Sequence, residues 1–85
     1  MARRNAYLNE INKHIGEKIQ MLRLSQGHTR KELSEKIGVS DQQLHKYESG
    51  KNMVSAGRLI LIAKALDKEI SYFYEELEDT PKDLL

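Results

Sequence analysis

The chain has 85 residues, of which 39% are hydrophobic and 32% charged, with a net charge of +1 and no cysteine. A chain this short makes one domain with a modest core, burying about 60 to 65% of its unfolded surface. Without thiols, neither a disulfide framework nor a thiolate metal site is available, and three scattered histidines make no ligand cluster, so no metal and no cofactor is expected. No apolar run approaches the roughly 20 residues needed to cross a bilayer, and Met1 to Asn12 lacks the apolar stretch of a signal peptide. No membrane partner is expected, and the expected location is a reducing cytoplasm.

Residues 1–12 read as an N-terminal arm, loose over residues 1–5 and open to helix from Tyr7, with Arg3 and Arg4 near its start and Leu8 and Ile11 three apart. Asn12 is a good N-cap, and Ile15, Ile19 and Leu22 recur at four and three, which predicts a first helix from Lys13 to about Ser25. Gly16 within it costs about 1 kcal/mol relative to alanine, so another backbone is expected to approach there. Gln26-Gly27-His28 ends that helix. Thr29, with Glu32 three residues on, is the capping-box pattern and starts a second helix, Arg30–Ile37.

Gly38 stops the second helix, Val39 buries the turn, and Ser40 caps a third, Asp41–Ser49, on which Leu44 and Tyr47 face inward and Gly50 allows a left-handed exit. Lys51 to Val54 connect to a fourth helix, Ala56–Leu66, capped by Ser55, with Leu59, Ile60, Ile62, Ala63 and Leu66 on a broad apolar face. Ser71 is placed to cap a short fifth helix from Tyr72 to about Leu77, with Phe73 as its core anchor. Residues 78–85 read as an acidic tail, frayed around the lone Pro81. No period-2 alternation of useful length appears, so the expected class is all-α.

The second and third helices, joined by three residues with small Ser34 and branched Leu44 where they touch, have the form of a helix-turn-helix. The charge is divided to match. Residues 1–66 hold twelve Lys/Arg against six Asp/Glu, whereas residues 67–85 hold two against seven. A basic front can meet phosphate and an acidic end cannot lie on it, although an acidic tail can equally serve solubility alone.

Taken in order, Ile15-Gly16-Glu17-Lys18-Ile19, Thr29 to Leu33, Gly38-Val39-Ser40, Leu44, Tyr47-Glu48-Ser49-Gly50-Lys51 and Ser55 through Leu66 resemble the Cro and phage-repressor family of helix-turn-helix regulators, also called the xenobiotic-response-element (XRE) family. Gln42-Gln43, Lys46-Tyr47-Glu48 and Ser55 to Leu59 are more similar to its bacterial chromosomal branch. The resemblance implies a five-helix, lambda-repressor-like DNA-binding domain over residues 13–77. It further implies a non-enzymatic, sequence-specific regulator of transcription, a repressor, acting as a homodimer on double-stranded DNA in the cytoplasm and on the nucleoid when bound. Two positions depart from the family pattern: Arg30 stands where glutamine is common, and Val54 where proline is common. The alternative reading is an antitoxin that masks a toxin and represses its own operon.

Within that frame, Gln42 and Gln43 are candidates for adenine readout, and Lys46 for guanine or a phosphate. Asp41 could accept from cytosine N4 or simply favour the helix N-terminus, and His45 joins this base-reading set. Arg30, Ser40, Lys51 and Asn52 are the candidate phosphate contacts. The resemblance also implies a supporting ion pair between Arg23 and Glu48. Tyr72, Phe73 and Tyr74 cannot all face one core, so with Leu77 they are the candidate dimer contact; Leu8 and Ile11 offer a rival one. No Ser/His/Asp, Cys/His or paired-carboxylate arrangement points to catalysis.

Overall fold

Helix α1 runs from Ala2 to Ser25 in the computed structural model, which describes residues 2–77 and their side chains from Ala6 onward. It is followed by α2 (Arg30–Ile37), α3 (Asp41–Glu48), α4 (Ala56–Ala65) and one 3-10 turn, Ile70–Tyr74, with no strand among the described residues. The start of α1 corrects the expected start at Lys13. Residues 2–12 contain neither glycine nor proline, and Ile11 packs against the core, so nothing halts a helix there. Asn12, though a good cap, costs little inside a helix, and the helix takes in residues 2–5, expected to be a loose arm, as well as the stretch from Tyr7 where helix was allowed. The expected acidic tail, 78–85, lies outside the described residues.

One core gathers an inward stripe from every element: Ile15, Ile19 and Leu22 from α1, Leu33 and Ile37 from α2, and Leu44 and Tyr47 from α3. Leu59, Ile62, Ala63 and Leu66 come from α4 and its end, and Phe73 from the 3-10 turn. Helix α1 packs on α3 and the turn, while α2 packs on α3 and α4. Ile60 is not part of the stripe, being 48% exposed. At 100° per residue, Leu59, Ile62, Ala63 and Leu66 already define the inward side of α4, and Ile60 falls outside it.

The helix starts follow from short-range chemistry. Thr29 Oγ1 accepts from the Glu32 amide (3.0 Å) and Glu32 Oε1 accepts from the Thr29 amide (2.8 Å), completing the capping box. That bonding holds the Glu32 carboxyl below its usual range, the Thr29 backbone hydrogen bond being the main cause. Ser40 Oγ accepts from the Gln43 amide at 3.0 Å, and Ser55 Oγ from the Arg58 amide at 3.1 Å. Gly38 has φ +73°, which lets its amide donate back to the Ser34 carbonyl and turns the chain into α3.

A fifth α-helix, expected over Tyr72–Leu77, is not formed. Ser71 lies inside the 3-10 turn, and Glu69, at the cap position, makes no side-chain cap bond. Inserting Phe73 fully into the core fixes a short segment that is held by i→i+3 bonds, from the Tyr72 amide to Glu69 O and the Glu75 amide to Tyr72 O. So short a segment gains too few bonds to nucleate an α-helix.

The end of this turn is tied to α1. His14 Nε2 donates to the Glu75 carbonyl at 2.7 Å, and Lys18 Nζ donates to Glu76 Oε1 at 2.8 Å while standing 4.9 Å from the Tyr72 ring centre. The hydrogen bond with Glu76 raises the Lys18 pKa, and the same bond, then the lysine charge, lowers that of Glu76. A depressed carboxylate stabilises the fold above its unfolded pKa and loses that contribution as pH falls through the folded one; a raised lysine loses its contribution as pH rises through its own folded value. The tie is therefore expected to hold across neutral pH. Hydrogen exchange of the Glu75 and Leu77 amides should speed up below the usual carboxylate range, and Lys18→Ala should remove that pH dependence. An acid response that persists in Lys18→Ala would count against this pair as its source.

Candidate nucleic-acid interface

Helix α3 presents two faces of opposite character. Leu44, Tyr47 and Glu48 are buried, whereas Asp41, Gln42, His45 and Lys46 are exposed. Those four line one open concavity of about 520 Å³ with Arg30 from the start of α2 and Lys51 from the loop after α3. Three cations and one carboxylate stand around it, with Gln42 at the first turn of the helix. The arrangement offers amide and ammonium donors at one end of a short helix, with further cations beside it, which suits a strand of phosphates flanking hydrogen-bonding base edges.

The outward face is braced from behind. Arg23 of α1 donates from Nε to Glu48 Oε2 at 2.7 Å and from Nη2 to Glu48 Oε1 at 3.2 Å, and both residues are buried. Arg23 also donates from Nη1 to the His28 carbonyl at 2.8 Å, linking the pair to the loop that precedes α2. Arg30 joins on the other side, its Nε donating to Glu48 Oε1 at 3.0 Å. One carboxylate thus holds two guanidinium groups, and Arg30, half-exposed, is fixed at its Nε. At the other end of α3, Ser34 Oγ donates to Asp41 Oδ1 at 2.6 Å, with the Lys31 carbonyl at 3.0 Å as the competing acceptor for its single proton.

Not every residue singled out from sequence joins this concavity. Gln43 is half-buried on the flank of α3, with its amide engaged by Ser40, and Ser40 serves as the cap. Lys51 and Asn52 both direct their backbone amides to the Lys46 carbonyl, so only their side chains are free for an anion. Of the aromatic set, Phe73 is wholly buried and offers no surface to a partner. Tyr72 is half-buried, edge-on to Phe73 with ring centres 5.3 Å apart, and lies between Lys18 and Lys68. Tyr74 is exposed and Leu77 half-buried.

A family profile described as helix-turn-helix matches residues 19–73. The chain belongs to the helix-turn-helix family. Within it, this helix-turn-helix is of the Cro and XRE type. It is 50% identical over 82 residues to an uncharacterised HTH-type transcriptional regulator of Rickettsia prowazekii, covering 96% of this chain and 63% of that protein. It is likewise 50% identical over 82 residues to one from Rickettsia conorii, covering 96% and 66%. The chain therefore spans slightly less than two thirds of those relatives. The clp gene regulator ClgR from C. glutamicum has a similar structure, with TM-score 0.73 and 26% identity over 75% of this chain and 83% of that one. The restriction-modification controller protein C.AhdI from Aeromonas hydrophila shares the fold, with TM-score 0.69 and 24% identity over 72% and 92%.

Several contacts that position this helix-turn-helix left no mark in the sequence. Arg58 of α4 donates from Nη1 to the Ile37 carbonyl, tying α4 to the last turn of α2. Gln26 donates from Nε2 to the Leu66 carbonyl at 2.7 Å, joining the loop after α1 to the end of α4. The Ser34–Asp41 bond also spans two elements, and the smallness of Ser34 was its only trace. Among the described residues no cluster of His, Asp or Glu is spaced to hold a metal ion, and no helix is long and apolar enough to cross a membrane.

Proposed function

We propose that this chain is the sequence-specific DNA-binding part of a transcriptional regulator, a repressor that acts as a homodimer by covering an inverted-repeat operator in the cytoplasm. The observation that carries the reading is the outward face of α3, where Gln42 and Lys46 share one basic concavity with Arg30 and Lys51 above a buried Arg23–Glu48 brace. Gln42 reads adenine, and Lys46 reaches guanine or a phosphate; Asp41 and His45 contribute at neighbouring bases, with Gln43 at the edge of the footprint. Arg30, Lys51, Asn52 and the Ser40 hydroxyl take phosphate oxygens and set the register. Residues 13–77 form the DNA-binding domain, and two copies place their recognition helices about 34 Å apart, in successive major grooves.

Titrations that compare a selected site with random DNA separate the two kinds of contact. Gln42→Ala should weaken the selected site by about 1 to 3 kcal/mol, relax the preference at one base position and barely affect random DNA. Lys51→Ala should weaken both DNAs alike and reduce the salt slope by about one unit. The reverse assignment would mean that a different face enters the groove, and failure to enrich any sequence would remove the reading.

A further inference from the structure

Helix α1 meets the end of α3 at two points, and one of them brings a lysine beside the basic concavity. Gly16 lies against the Tyr47 and Glu48 carbonyl oxygens, and Gly50 lies against the backbone of Lys13, where an added Cβ would come within 2.8 Å of the Lys13 Cα. Gly50 immediately precedes Lys51, which lines the concavity with Gln42 and Lys46. Helix α3 therefore leads from Gln42 past Lys46 to Lys51, and the row of cations continues onto α1 at Lys13.

Two observations separate Lys13 from an ordinary surface lysine. It is exposed and its ammonium has no ion pair or hydrogen bond with a described residue, although Glu10 and Glu17 stand one turn away on either side. Nor is it needed to cap α3, because the His45, Lys46 and Tyr47 carbonyls already accept from the Ser49, Lys51 and Gly50 amides. An unpaired ammonium whose backbone is fixed against the end of α3 suits an anion that runs on past Lys51. At 3.6 residues per turn, Asn9 falls on the side of α1 that carries Lys13 and Gly16, and it too is exposed. We infer that Lys13 carries the DNA contact onto α1, taking the phosphate next to the one held by Lys51, and that Asn9, one turn further out, faces the same strand. The inference deepens the DNA-binding reading proposed above and rests on it.

Salt titrations of the full chain on the selected site and on random DNA, with ethylation interference on the selected site, test this contact. Lys13→Gln should weaken both DNAs by the same factor and reduce the salt slope by about one unit for each copy bound, while Lys13→Arg keeps the parent slope. Asn9→Lys should steepen the slope by about one unit per copy. Ethylation should reveal a phosphate in each half-site that blocks the parent and no longer affects Lys13→Gln, next to the phosphate that Lys51→Ala loses. The Lys13 side chain is exposed, so the melting temperature should stay at the parent value; if Lys13→Gln unfolds, Asn9→Lys decides. A Lys13→Gln slope equal to the parent's, with that of Lys51→Ala reduced, overturns the inference and leaves the DNA-binding reading standing. So does an unchanged slope in Asn9→Lys, or an ethylation pattern that Lys13→Gln does not alter. If neither lysine moves the slope and no sequence is enriched, the inference and the reading it rests on both fall.

Discussion

Replacing Gly16 with alanine should destabilise the protein by about 3 kcal/mol, at the upper end of what overpacking costs. A Cβ there would stand 2.3 Å from the Tyr47 carbonyl oxygen and 2.7 Å from that of Glu48. Both are backbone atoms at the end of α3, so no side chain can swing aside and α1 must move away from α3. The same shift would pull Arg23 from Glu48, because Arg23 lies on α1 and Glu48 on α3. Denaturant unfolding should show a large drop in midpoint, and titration of the selected DNA site should show a loss of affinity in the fraction that remains folded. An unchanged midpoint would mean that the two helices separate at little cost and that the glycine is incidental.

Glu48→Ala is the second large effect, expected to cost about 3 to 5 kcal/mol. Removing the carboxylate leaves the buried Arg23 guanidinium without its counter-charge, and a buried charge without a partner is far more costly than the pair is stabilising. The double replacement Arg23→Met with Glu48→Leu should recover most of that loss, since apolar groups of similar size avoid the desolvation cost altogether. It should not recover DNA binding, because Arg30 is fixed through the same carboxylate and would lose its orientation beside the α3 face. Unfolding midpoints of the three proteins, with titrations of the selected site, check both parts. If Glu48→Ala and the double variant unfold alike, burial of the charge is not what governs the cost. If the double variant binds as tightly as the parent, the brace does not orient Arg30.

The Arg23–Glu48 contact shows how far a resemblance reaches and where it stops. The two positions were paired by likeness to the Cro-type family, and their side chains do form two hydrogen bonds. Arg30 departs from that pattern and is a candidate phosphate contact, yet it also bonds Glu48, so its unusual identity changes the charge of the brace as well as of the surface. Nothing in the local sequence around Arg30 encodes that second partner, which lies eighteen positions away.

By itself, the sequence determined the features whose partners lie within one helical turn or one helix face. The bounds of α2, the capping box at Thr29 and the caps at Ser40 and Ser55 were legible because each is closed by an amide three residues on. The inward positions of the first four helices were mostly legible because a 3.6-residue period places them on one side. Only the tertiary structure decided the rest. The segment after α4 tightens into a 3-10 turn because Phe73 has to reach a core built by other helices. Residues 2–12 continue α1 past the cap that Asn12 offers, since an Asn that can start a helix does not prevent one from running through it. In each of these cases the outcome depends on which surface the folded chain places opposite a residue, and that is a property of distant residues rather than of its neighbours.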